Sequence, residues 1–232
     1  MSSTQSYRTR LPPHLSGPSP DRPATIQGDQ SSINLLDLAG DKNDYTNLRV
    51  EMRNLRITNF GTATTGTAGA VSMKYLDLDV QDVTFGPNNR GGSGGSLTIN
   101  TGVAASVART TFTGNYAALN GGALLIKNAQ KLNFVSTNFI NNFSNGTGGA
   151  VCFSGYSLPI PTATFQGCSF QNNEAATSGG AVGIIAKSSQ ISFKDSSFVW
   201  NFAHKSGGGA VYVYQSNHIY LQNRCVRVRV DR

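Results

Sequence analysis

No stretch of 18 or more apolar residues occurs in this chain, which excludes a membrane-spanning helix and any helical membrane anchor. Charge is also sparse, at 13% of 232 residues. The net charge of +7 is spread out, with only +2 of it between residues 75 and 215, so the basic, aromatic-interleaved stripe of a nucleic-acid site is missing. Three cysteines, Cys152, Cys168 and Cys225, cannot all pair within one molecule and match no zinc spacing. His14, His204 and His218 lie far apart without ligand spacing, so no metal site and no cofactor is expected. Acids are rare too, since residues 83–215 contain only Glu174 and Asp195.

Repetition fills the space these absences leave. Phe112-x-x-Asn115, Phe139-x-x-Asn142, Phe170-x-x-Asn173 and Phe198-x-x-Asn201 recur at intervals of 27, 31 and 28 residues. Each is followed by a glycine pair, an alanine and an aliphatic residue: Gly121-Gly122-Ala123-Leu124, Gly148-Gly149-Ala150-Val151, Gly179-Gly180-Ala181-Val182 and Gly208-Gly209-Ala210-Val211. Stepping back 27 residues predicts a fifth copy at Phe85-x-x-Asn88, with Gly94-Gly95-Ser96-Leu97 after it. A weaker copy is expected at Phe60 and Gly69-Ala70-Val71. Periods of 20–50 residues mark solenoids or related arrays, because one unit cannot bury its apolar face alone. The Gly, Asn, Ser, Thr and β-branched content opposes helix and favours strands and turns.

Alternation locates the core. The motif aliphatic and the residue two positions on are apolar in every copy, as in Leu124 and Ile126 or Val151 and Phe153. Thr98, Leu125, Cys152, Gly183 and Tyr212 lie between them and share no character, which assigns them to the outer face of a strand. A second strand precedes each motif Phe, with inward pairs such as Leu132 and Phe134. The Phe falls at the wrong parity for that strand, so a bend is expected between them at Thr110-Thr111, Thr137-Asn138, Cys168-Ser169 and Ser196-Ser197. Each unit then forms one coil of an all-β parallel β-helix of about seven or eight coils, with stacked Phe side chains and an Asn ladder. The glycines are expected at corners that need positive φ or close backbone approach.

The chain divides into a polar, Pro-rich segment at 1–30 expected to be disordered, degenerate coils at 31–84, the repeat helix at 85–215 and a basic terminal strand or tail at 216–232. The alternating Arg224-Cys225-Val226-Arg227-Val228-Arg229-Val230 is expected to blunt the exposed end.

The paired motifs, over roughly residues 85–215, resemble those of the chlamydial polymorphic membrane proteins. The resemblance implies a right-handed, pectate-lyase-like helix that serves as the passenger of an autotransporter-type protein. It implies a cell-surface, outer-membrane or secreted adhesin, non-enzymatic, whose partner is a host-cell or other surface protein or glycan. Residues 1–30 lack the apolar core of a signal peptide and nothing after Gln215 offers barrel strands, so a truncated or stand-alone relative is expected. In that reading the loops at 116–120, 143–147, 174–178 and 202–207 carry the specificity.

Two other functions remain open. Asp77 and Asp79 share the outer face of a strand about 6.5–7 Å apart, a spacing that suits a hard cation or an acid and base pair acting on a polysaccharide. A structural repeat protein that associates end to end is the other.

Overall fold

The structure is a computed structural model that describes residues 14–29, 34–40, 48–62, 69–155, 162–186, 189–205, 207–214 and 218–222. Among these residues there is no helix, and strand pairs with strand in parallel throughout. The chain winds into a β-solenoid of about six turns between Arg49 and Val213. Partial rungs flank it, His14–Ser16, Ala24–Gln27 and Leu36–Ala39 before and His218–Gln222 after. The count is slightly lower than the expected seven or eight.

One coil shows how the sequence sets the path. Lys131–Val135 runs straight with Leu132 and Phe134 inward. Ser136 then takes φ 48°, which reverses the alternation and lets Thr137 and Phe139 both point inward. Asp82, Arg109, Gly167 and Asp195 do the same in other coils, at φ 55°, 46°, 61° and 47°. The hinge thus sits one residue before the predicted small polar pair. The pair's first member is buried instead, where Thr137 Oγ1 donates to the Val107 carbonyl at 3.3 Å and Ser196 Oγ to that of Phe165 at 3.1 Å. Asn138–Ile140 follows, then a second left-handed residue, Asn141 at φ 54°, and a two-residue strand, Phe143–Ser144. A loop and Val151–Ser154 close the coil.

Equivalent residues stack in register, with Phe112 opposite Phe139, Phe139 opposite Phe170 and Phe170 opposite Phe198. The rings from Phe85 to Phe198 lie 4.6–5.0 Å apart and within 5° of parallel. A second column, Phe134, Phe165 and Phe193, stacks at 4.5 and 5.0 Å and meets the first edge-on. Burying each ring contributes about 1.5–3 kcal/mol before entropy is counted.

Two features lie beyond what the repeat pattern indicates. Within the segment assigned to disorder by composition, His14–Ser16 and Ala24–Gln27 pair with Arg49–Thr58. A third parallel sheet, built from the two-residue strands after each Asn, was not predicted, because two residues are too few to show alternation. The basic run from Arg224 to Val230 lies outside the described residues.

Candidate functional site

The motif residues meet inside the solenoid. Asn142 donates from Nδ2 to Asn173 Oδ1 at 3.0 Å and to the Phe112 carbonyl at 3.0 Å. Its Oδ1 accepts from the backbone N–H and the Nδ2 of Asn115, at 3.1 and 2.9 Å. Asn173 repeats the pattern between Asn142 and Asn201. The position therefore uses two amide donors and two acceptor sites at once, which an Asp or an apolar side chain cannot supply.

The fifth copy departs from its predicted register. Asn88 is exposed, and Asn89 takes the ladder position. Its Oδ1 accepts from the Phe60 N–H at 3.1 Å, and its Nδ2 donates to the Ile57 carbonyl at 2.8 Å and toward Ser96 Oγ at 3.4 Å. One extra residue after Phe85 causes the shift, and the backbone N–H of Tyr116, which follows Asn115, meets the Asn89 carbonyl accordingly. Asn115 Oδ1, which would accept from the preceding rung, is buried without a hydrogen-bond partner.

The two glycines of each motif have separate tasks. Gly121, Gly148, Gly179 and Gly208 hold φ between 65° and 75°. A Cβ on Gly122 or Gly149 would lie 2.1 Å from the carbonyl oxygen of the equivalent glycine in the next coil. Ala123, Ala150 and Ala181 are fully buried, while Ala210 in the last coil is half-buried.

The strand residues assigned outward are covered instead. Thr98, Leu125 and Cys152 are buried because the loop between the two motifs folds back over them. A Cβ on Gly183 would come within 2.2 Å of Thr147 Cγ2 of that loop. Asn120 Oδ1 accepts the Thr147 N–H at 2.8 Å, and the Thr147 and Thr177 hydroxyls lie 2.9 Å apart, so neighbouring loops are tied together. Burial pushes the Cys152 thiol up to about 12 and that of Cys168 to about 11.

Outside, Asp77 and Asp79 do share one face, but basic partners stand in the adjacent coil. Arg49 and Arg53 reach Asp79 Oδ2 at 2.9 and 3.1 Å, and both also contact Glu51. Arg109 forms a two-pronged pair with Asp82 at 2.8 Å per bond, which raises the guanidinium pKa further. These arginines were missed because the partners are separated by 26–30 residues in sequence. The available signal was the register that sets Arg49, Glu51 and Arg53 opposite Asp77, Asp79 and Gln81.

A shallow depression of about 270 Å³ opens beside this network. Ala104 and Ser106 form its floor, Asp77 and Asp79 one wall, Lys131 and Asn133 the other, and Arg49 a corner. The floor is low because the third coil carries short outward side chains between coils with long ones.

Residues 109–127, which span Phe112, Asn115 and the Gly121-Gly122-Ala123 corner, match the family model described as Chlamydia polymorphic membrane protein (Chlamydia_PMP) repeat. This stretch of the chain is similar to the repeat of the chlamydial polymorphic membrane proteins. Comparison with curated proteins and with solved structures gives no significant match. In the matched polymorphic membrane protein repeat, the Phe and Asn that define the signature are buried structural groups. Among the described residues, no group of three or more His, Cys, Asp or Glu gathers as a metal site would require, and no helix is long and apolar enough to cross a membrane.

Proposed function

We propose that this chain is the repeat passenger of an autotransporter-type surface protein, wound as a right-handed, pectate-lyase-like helix, and that it acts as an adhesin without chemistry of its own. The carrying observation is that the Phe and Asn side chains of the repeat face the core and its glycine backbone packs against the neighbouring coil, which leaves the exposed outer residues free to vary at little cost to the fold. The matched repeat supports an outer-membrane or cell-surface location by family. The handedness follows from the strong preference of parallel crossover connections. Polysaccharide cleavage by Asp77 and Asp79 has less support, since Asp79 Oδ2 is engaged by two guanidinium groups.

Beads coated with the protein are expected to bind host cells more than beads carrying an unrelated β-helix of equal charge. Equal binding of the two would remove the adhesin reading.

A further inference from the structure

We infer that the depression over Ala104 and Ser106 is a binding site for one ring of a neutral, hydroxyl-rich saccharide. The inference rests on the surface-adhesin reading for its biological setting but on its own geometry for the ligand. The walls are two strand spacings apart, about 9.5 Å. A volume of about 270 Å³ equals that of roughly nine waters, room for a pyranose and too little for a folded partner.

The polar groups set the chemistry. Asp77 is exposed on one wall and Lys131 and Asn133 on the other, and none of the three makes a side-chain hydrogen bond or ion pair among the described residues. An acceptor thus faces donors across a gap that vicinal hydroxyls, each both donor and acceptor, can bridge. Three cations, Arg49, Arg53 and Lys131, stand with three anions, Glu51, Asp77 and Asp79, so the site has no net charge to favour a polyanion. The Ala104 methyl offers a small apolar contact to the ring face. An open site without an aromatic platform binds weakly, which suits a protein displayed in many copies, where avidity multiplies weak contacts.

Saturation-transfer NMR on the full chain with methyl glucoside, methyl galactoside and methyl N-acetylglucosaminide, and with a heparin disaccharide as the anionic control, tests the site. Binding of at least one neutral glycoside is expected, weakened about tenfold or more in both Ser106→Tyr, which fills the floor, and Asp77→Asn, which replaces the carboxylate acceptor with an amide of the same shape. Ser106 and Asp77 are both exposed, and unchanged thermal melts establish folding of each variant. No neutral glycoside bound, undiminished binding in Asp77→Asn, or salt-sensitive binding of heparin alone would each overturn the inference. Glycoside binding by a chain that fails to bind cells would overturn the adhesin reading and leave this site standing; cell binding without any glycoside binding would do the reverse.

Discussion

Asn89 and Asn88 are adjacent, yet the fold asks opposite things of them. Asn89 holds the Phe60 N–H and the Ile57 carbonyl in the interior, whereas Asn88 faces solvent at φ 64°. Asn89→Ala leaves the buried Phe60 N–H unpaired, while the Ile57 carbonyl keeps its bond from the Gly86 N–H, and is expected to cost about 1–3 kcal/mol. Asn88→Gly keeps the left-handed conformation available and should change stability by less than about 0.5 kcal/mol. Urea midpoints at constant m-value measure both, and equal losses would mean that the ladder runs through Asn88. Sequence spacing pointed to Asn88 because one inserted residue is invisible when the motif is matched by its Phe. The rest of the ladder, Asn115 to Asn201, was legible because four copies keep Phe and Asn three residues apart.

At the scale of the element, strand Val151–Ser154 shows where alternation misleads. Its outward residue, Cys152, is fully buried, Leu125 in the preceding coil is buried too, and Thr147 of the 143–147 loop lies over Gly183, the equivalent position of the next coil. A period of two tells which side a residue takes and not whether something covers that side. The buried thiol has a measurable consequence. Its pKa rises from 9.0 to about 12, so the folded state keeps a proton that the unfolded state releases. The stabilisation is complete below pH 9 and is lost as pH rises from 9 toward 12. Stability measured across that window should fall less steeply in Cys152→Ala than in the parent chain, and identical slopes would show that the thiol is accessible when folded. The Asp77 and Asp79 pair was legible as a shared outer face, but its arginine partners belong to the neighbouring coil and became visible only through the register of Arg49–Thr58 on Asp77–Phe85.

For the whole molecule, the core is continuous along the axis and thins at its ends. Phe112, Phe139 and Phe170 have a ring stacked on each side, whereas Phe198 has one. In the last coil and the rung after it, Phe202, Val213, Tyr214 and Leu221 are exposed, and Val211 and Ile219 only half-buried. Solenoid stability is a sum over neighbours, so a coil with one neighbour opens first. Hydrogen exchange is expected to be slowest at Phe112–Val182 and fastest in the strands Val211–Val213 and His218–Gln222; uniform protection along the axis would contradict this.

The repeat, its period and the inward parity of its apolar residues were enough to specify a parallel β-solenoid, because each unit contains its own strand pattern and needs only a copy of itself as partner. The tertiary structure alone decided which Asn joins the ladder, which outer faces lie beneath loops and which arginines meet Asp79. Those outcomes depend on distances between coils about 30 residues apart, and a period read along one chain does not contain them.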